Sequence, residues 1–309
     1  MSSGNAWSAR GSFGRTANAS SPAIACNVRR ARALAITVLS CALAACARAR
    51  SVAPSPEGRE LRVVTYNIHA GKDAAQQPNL ERVAAVLDSL DADIVLLQEV
   101  DRGTTRSGGV DQVAELERLT GMHGAFAKSL DFQGGDYGIA ALSRWPIRST
   151  ETVPLPTDPH ADRDVKMYEP RVAIHVVVST PTGPLHVAGT HLGAEGVSTF
   201  RDQEAAVLLD HLRTHVPSAA PLVIGGDFNS TPDSDVHARF SSVFTDSWQE
   251  CGSGDGFTFP ADSAARRIDY VYARGLRCTI ANVADTQASD HRPLVVTFGS
   301  NQTAAGSQR

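Results

Sequence analysis

Short apolar runs that stop at polar, chemistry-bearing residues recur along this chain. Leu61 to Asn67 runs into Asn67, Asp93 to Glu99 into Gln98 and Glu99, Leu185 to His191 into Thr190 and His191, and Pro221 to Asn229 into Asp227 and Asn229. Each is rich in Val, Ile and Leu and is bounded by Gly, Pro or polar residues, the pattern of a buried strand. Arg267 to Val271 carries Asp269, and Ser289-Asp290-His291 stands just before the apolar run that begins at Leu294. Residues two apart on an extended chain share one side, so Asp227 and Asn229 bring a carboxylate and an amide into one small volume. A single polar strand end is usually just solvated. Half a dozen of them, carrying carboxylates, amides and two imidazoles, predict convergence on one site.

Between these runs the apolar spacing becomes helical. Leu80, Val83, Ala84, Val86, Leu87 and Leu90 predict a helix over 79–90. A second is predicted over 110–120, stopped by Gly121, and a third over 198–212 with Ser198 as its cap. A short fourth helix is predicted near 235–240. Further strands are predicted over 125–128, 137–143 and 147–153, the last two joined through Arg144-Trp145-Pro146. A hairpin pairs 172–178 with 185–190, and two or three strands close the chain. Loops are predicted at 69–77, at 101–109, over the proline-rich 154–170, and from the fourth helix to Arg267. The alternation, with no internal repeat, predicts one layered α/β domain over 61–299 and a disordered tail over 300–309.

The chain has 309 residues, 42% of them hydrophobic, which is ordinary for a globular protein. Its first 46 residues hold five arginines and no acidic residue, which leaves 24 basic against 33 acidic residues beyond them. An acidic body argues against a broad surface for gripping nucleic acid, and no stable nucleic-acid partner is expected. Arg29-Arg-Ala-Arg32 followed by the apolar stretch 33–45 has the charged start and short greasy middle of a secretory signal. It is too short for a membrane span, which takes about 20 residues. It ends Leu43-Ala44-Ala45-Cys46, which resembles the lipobox of bacterial lipoproteins. By that resemblance Cys46 is lipidated and anchors the protein to membrane, 47–60 is a tether, and the location is the cell envelope, on the outer membrane facing the periplasm. Residues 1–27 are expected to be a mis-assigned start, with translation beginning at Val28. Cys251 and Cys278 then remain, either as a disulfide or as two buried thiols.

Six motifs, in order, carry a further resemblance. Thr65-Tyr66-Asn67, Leu97-Gln98-Glu99, Thr190-His191-Leu192, Gly225-Gly226-Asp227-Phe228-Asn229, Ile268-Asp269-Tyr270 and Ser289-Asp290-His291-Arg292-Pro293 resemble those of the endonuclease/exonuclease/phosphatase superfamily. The resemblance covers about 61–298 and implies the deoxyribonuclease-I-like fold, an α/β/β/α four-layer sandwich of two packed mixed sheets flanked by helices. It implies hydrolysis of a phosphoester with a divalent metal, magnesium first, with manganese or calcium as alternatives. Glu99 would be the principal metal ligand, with Asn67 and Asp290 at the same ion; hard oxygen donors are what magnesium prefers. Asp227 would orient or deprotonate the attacking water, and Asn229 would hold that water or a phosphate oxygen. His291, fixed by Asp269, and His191 would contact the phosphate. The base is left as either Asp227 or His291. Arg171 matches an arginine that clamps phosphate in some branches; a surface ion pair is its other reading. His69 stands where some nucleases carry an extra acidic ligand, which speaks against a second metal.

Other chemistries fit less well. The chain has no Gly-x-Ser-x-Gly elbow, no calcineurin-type phosphatase signature and no zinc-site cysteine spacing. A non-catalytic phosphate- or lipid-binding lipoprotein would be expected to have lost a ligand, and none of the matched positions is lost. The loops around Asn67, Glu99 and Tyr137 resemble the lipid-associated branch of the superfamily more than its DNA-repair branch. Phospholipid headgroups or small phosphodiesters are the expected substrates, a secreted nuclease is the alternative, and the protein is expected to be a monomer.

Overall fold

Among the described residues, every apolar run that ends in a polar group becomes a strand, and the pairing of those strands decides where their polar ends go. The computed structural model describes residues 59–73, 75–157, 169–194 and 198–299. The signal segment with Cys46, nearly all of the tether, the middle of the 154–170 loop and the tail lie outside those residues. In chain order the strands are β1 (Leu61–Asn67), β2 (Ile94–Arg102), β3 (His123–Phe132), β4 (Gly135–Ser143), β5 (Ile147–Pro154) and β6 (Val172–Thr180). There follow β7 (Gly183–His191), β8 (Leu222–Asp227), β9 (Thr245–Asp246), β10 (Asp269–Arg274), β11 (Cys278–Val283) and β12 (Leu294–Phe298). The helices are α1 (Leu80–Ser89), α2 (Gln112–Thr120), α3 (Ser198–His215), α4 (Asp235–Ser241) and α5 (Ser247–Cys251).

Two six-stranded sheets result, ordered β11-β12-β1-β2-β4-β3 and β5-β6-β7-β8-β10-β9. Three apolar layers hold them. Val63, Leu96, Ile174, Val187, Val223 and Val296 pack between the sheets. Val64, Val95 and Leu97 face the other way, onto Val83 and Leu87 of α1 and Leu116 of α2. Ala188, Ile224 and Tyr270 meet Leu208 and Leu212 of α3 and Phe240 of α4. The central strands are therefore buried on both faces, which is why they read as unbroken apolar runs and not as alternating ones. Each such side chain contributes about 1.5–3 kcal/mol by leaving water. The architecture is the expected four-layer α/β/β/α sandwich of mixed sheets.

Direction matters more for the site than layering. β1 and β2 run parallel, with Asn67 beside Gln98, and β7 and β8 run parallel, with His191 beside Asp227. Parallel neighbours need a crossover, and α1 and α3 supply the two. β12 runs antiparallel to β1 and β10 antiparallel to β8, so both of those strands begin where their partners end. Asp269 thus lies directly across from Asp227.

Several details depart from the sequence expectation. β2, β3 and α3 are longer than their apolar patterns. The turn at Arg144-Trp145-Pro146 carries the chain from one sheet to the other, so β4 and β5 do not pair. Arg144 anchors this crossing through Nε to buried Asp93 at 2.6 Å and Nη2 to Asp91 at 2.7 Å. The stretch expected as a loop up to Arg267 contains β9 and α5, both too short to show a period. Asp246 caps α5 by accepting from the Trp248 N–H at 2.9 Å.

Cys251, the last residue of α5, is joined by a disulfide to Cys278, the first of β11, with Cα atoms 5.9 Å apart. The bond ties an element at the edge of the second sheet to the edge of the first. Closing a loop over a sequence separation of 27 residues restricts the unfolded chain. Replacing both cysteines by serine is expected to lower the unfolding free energy by about 3 kcal/mol, measured by equilibrium urea denaturation. An unchanged midpoint would mean that the two thiols do not pair in the protein.

Candidate active site

Backbone irregularities aim the functional side chains. The pairing of β2 with β4 slips between Leu97 and Val100, a bulge that contains Glu99. Glu99 sits at φ 56°, a left-handed conformation that a glutamate adopts only where its surroundings impose it. The bulge breaks the in-out alternation of β2 and leaves Glu99 half-buried. Gly226, at φ 156°, has no room for a side chain, since a Cβ would lie 2.1 Å from the Thr190 carbonyl oxygen. That close approach of β8 to β7 sets Asp227 level with His191. Asn229, at φ 48°, closes the turn after β8. Its N–H donates to Asp227 Oδ1 at 2.9 Å and its Nδ2 to the Leu192 carbonyl at 2.9 Å.

Asn67 lies at the centre of the site. Its Nδ2 donates to Glu99 Oε1 at 3.1 Å and to Asp227 Oδ2 at 3.2 Å, joining the two sheets. Its own oxygen accepts from the His69 N–H at 3.0 Å, and its backbone carbonyl accepts from Ser289 Oγ at 2.7 Å. Asp227 Oδ2 also lies 3.6 Å from His291 Nε2 and 3.5 Å from His191 Nε2. His291 Nδ1 is 3.0 Å from Asp269 Oδ2, and its ring packs against Phe259. Arg171 Nη1 lies 2.9 Å from His191 Nδ1 and 2.7 Å from Glu169 Oε1. A guanidinium has only hydrogens to offer, so His191 Nδ1 accepts and its remaining hydrogen is on Nε2, toward Asp227. Asp290 Oδ1 lies 3.2 Å from Ser289 Oγ, whose one hydrogen goes to the nearer Asn67 carbonyl, and 3.8 Å from His69 Nδ1.

The charges divide into two groups. Burial opposes a charged His291, but Asp269, Asp227 and Asp290 outweigh it and push its pKa up to about 10. Burial and then Asp269 push Asp227 up to about 7, against His291, the Asn229 N–H and the Asn67 amide. Burial, aided by Arg171 and His291, holds His191 well below the ordinary histidine range, as its neutral tautomer requires. Asp269, His291 and Asp227 therefore form a carboxylate–imidazolium–carboxylate string that supplies its own positive charge. Glu99 differs. Burial raises its pKa, Asp290 and Glu169 raise it further, and the Asn67 amide and His69 only partly offset this.

A family model described as the Endonuclease/Exonuclease/phosphatase family matches residues 64–291. The chain belongs to that family. It is 25% identical over 252 residues to the uncharacterized protein YbhP of Escherichia coli K12, covering 75% of this chain and 94% of YbhP. The crystal structure of an endonuclease/exonuclease/phosphatase from Beutenbergia cavernae superposes with a TM-score of 0.67 at 25% identity, over 78% of this chain and 72% of that one. The mannosyl-6-phosphatase Bt3783 of Bacteroides thetaiotaomicron shares the fold, with a TM-score of 0.63 at 17% identity over 77% and 99% of the two chains. Members of the endonuclease/exonuclease/phosphatase family are hydrolases acting on phosphoesters.

The residues present suit the divalent metal typical of that family. Glu99 and Asp290 offer hard carboxylate oxygens, and among the described residues neither has a Lys or Arg within ion-pair distance. A buried carboxylate whose proton affinity is raised further by a neighbouring carboxylate, with only the Asn67 amide and the His69 ring nearby to offset them, favours a cation. Asn67 stands beside Glu99, although its oxygen accepts from the His69 N–H and its NH2 donates to Glu99 and Asp227. Asp227, Asp269 and His291 also have donor atoms within 4.8 Å of one another, but the His291 ring already links the two carboxylates.

All the sequence-selected residues meet along this edge. Arg171 is 7% exposed, so its ion pair with Glu169 is not the surface pair expected, and its guanidinium also meets His191. The Asn229 side chain donates its amide to the turn that frames Asp227. The sequence reading assigned no role to two supporting residues. Ser289 ties β1 to the Asp290–His291 segment, and Glu204 of α3 accepts from the Gly193 N–H at 2.8 Å, holding the loop after His191. Only the serine next to Asp290 carried a local signal.

Because Asp269 is the chief attraction on the His291 proton, removing its charge has a defined sign. In metal-free protein followed by NMR, the His291 ring is expected to stay protonated well above 6.5, toward about 10, and Asp269→Asn to bring its titration back down. A raised folded-state pKa stabilises the fold fully below 6.5, and that contribution disappears as the pH climbs through about 10. A wild-type His291 that titrates in the ordinary range would contradict the assignment.

Proposed function

We propose that this protein is a divalent-metal-dependent phosphoesterase that hydrolyses a phosphodiester by in-line attack of water, acting on phospholipid headgroups or other small phosphodiesters. The observation that carries the reading is the division of charge just described. An imidazolium and a carboxylate of raised pKa face each other at 3.6 Å, beside carboxylates suited to a cation. Environments that push two titrating groups apart assign their roles. His291, held charged, is the donor to a phosphoryl oxygen. Asp227, with a pKa near the working pH, is the base that takes the proton of the attacking water. His191 Nε2–H is a second donor, oriented by Arg171, and Asn67 keeps Asp227 in place. Glu99 and Asp290, with Asn67 beside them, would hold the magnesium ion, whose chemistry is to neutralise charge on phosphoryl and leaving oxygens.

The substrate class rests on different support. The acidic balance of the body, 24 basic against 33 acidic residues, argues against a broad basic surface for duplex DNA, and the loops near Glu99 resemble those of lipid-associated members. A lipidated Cys46 would keep the domain at the cell envelope, facing membrane substrates.

The test is hydrolysis by residues 47–309 of phospholipid vesicles, a chromogenic phosphodiester, plasmid DNA and RNA, with magnesium or with EDTA. Vesicles and the chromogenic ester are expected to be cleaved, EDTA to abolish cleavage, and Asp227→Ala or His291→Ala to cost about a hundredfold to ten-thousandfold. Glu99→Ala is expected to remove the response to magnesium. Activity that survives both Glu99→Ala and His291→Ala would remove the mechanism, and preferential cleavage of DNA or RNA would move the substrate class.

A further inference from the structure

The face of the second sheet that packs on α3 carries another cluster of titrating side chains, none of which serves the cleft. Glu151 of β5 is paired with His175 of β6 in the sheet register, and His186 lies on the adjacent β7. His211 and His215 come from the last turns of α3, four residues apart and therefore on one side of the helix. His175 is buried, with Nδ1 at 3.2 Å from His211 Nε2 and Nε2 at 3.0 Å from His186 Nδ1. His211 Nε2 is also 3.7 Å from Glu151 Oε2, and the His215 ring stacks on the His211 ring with centroids 4.2 Å apart. Donor atoms of Glu151, His211 and His215 all lie within 4.8 Å of one another.

Elsewhere the same helix–sheet seam is filled by Leu208, Leu212, Ala188 and Ile224. His175 and His211, buried in place of such residues, forfeit apolar burial. The gain that accounts for them is coordination. A tetrahedral zinc ion at about 2.0–2.1 Å from each nitrogen holds its ligand atoms roughly 3.3 Å apart. The 3.2 Å and 3.7 Å separations here are already close to that spacing. The outer hydrogen bonds fit as well. His215 Nδ1 lies 2.9 Å from the His211 carbonyl oxygen, to which it can only donate, so the His215 Nε2 lone pair is free. His175 can pass its Nε2 hydrogen to His186, leaving Nδ1 free to ligate; metal-bound histidines commonly donate their second ring hydrogen in this way. Glu151 and His215 are exposed, which opens the cluster to solvent.

We propose that Glu151, His175, His211 and His215 form a second metal site, one for a zinc-class divalent ion, that pins β5 and β6 to the end of α3. Three imidazoles and one carboxylate select a borderline ion over magnesium, which prefers oxygen donors, so the two sites on this chain take different metals. The set is closed at four protein ligands, as in structural zinc sites.

The experiment is a titration of the purified Glu99→Ala protein with Co2+ and Zn2+, which keeps the cleft from competing for the ion. One equivalent of Co2+ is expected to bind with the visible d–d absorption of a tetrahedral nitrogen-rich site, and Zn2+ to displace it and raise the thermal midpoint. His211→Ala and His215→Ala in the same background are expected to weaken binding by more than about tenfold. Since His215 is exposed, its variant retains the fold and decides the matter if His211→Ala does not fold. In the otherwise native protein, His215→Ala is expected to leave phosphoesterase activity unchanged, which separates this site from the cleft. No uptake of Co2+, or uptake that both histidine variants leave intact, would overturn the proposal.

Discussion

A single amide joins the two halves of this molecule where it matters. Asn67 ends a strand of one sheet, and its NH2 reaches Glu99 on the same sheet and Asp227 on the other, at 3.1 Å and 3.2 Å. Two carboxylates facing one amide across a sheet interface fix the separation of the sheets at that edge and the register of the strands that deliver them. The apolar layer between the sheets supplies the driving force for packing, but it is not directional. The polar edge turns that packing into a defined cleft. The arrangement requires parallel central pairs, since only then do β1 with β2, and β7 with β8, end on the same side.

The charge pattern follows from the same edge. On one side of Asn67, Asp227 and Asp269 flank His291 and keep it an imidazolium. On the other, Glu99 and Asp290 have, among the described residues, no Lys or Arg within ion-pair distance and only the His69 ring beside them. Removing a carboxylate from water without a compensating charge is costly, and the cost grows with a like charge nearby. One side of the cleft therefore carries its own counter-charge in His291, and on the proposed reading a cation would complete the other. A fold that only bound phosphate would have little use for such a division. The histidine seam under α3 shows a related logic with nitrogen donors, at a place where no cleft demands it.

Much of this was legible in the sequence because the central strands are buried on both faces and therefore unmistakable as apolar runs. Their polar ends identified Asn67, Glu99, His191, Asp227, Asp269 and Asp290 with His291 without any long-range information. The bulge that aims Glu99 was not legible, because no glycine marks it; the left-handed conformation is imposed by the pairing with β4. The sequence left Arg171 between a phosphate clamp and a surface ion pair, because its burial depends on Glu169 and on His191, twenty residues away. The passage from β4 to β5 read as an ordinary turn, since only Asp91 and Asp93, from a distant loop and strand, show that it changes sheets. The histidine seam was invisible for the same reason. Its members come from three strands and a helix, and only the His211–His215 spacing is local.

The central claim, that the Glu99 side of the cleft is completed by a divalent cation, is tested most directly by thermal unfolding of wild type and Glu99→Gln in chelator and then in excess magnesium. In chelator the glutamine variant is expected to be at least as stable as wild type, because it relieves an uncompensated negative charge. Magnesium is expected to raise the midpoint of wild type alone, as an ion that binds only the folded state must. An equal rise in both proteins, or in neither, would contradict the account.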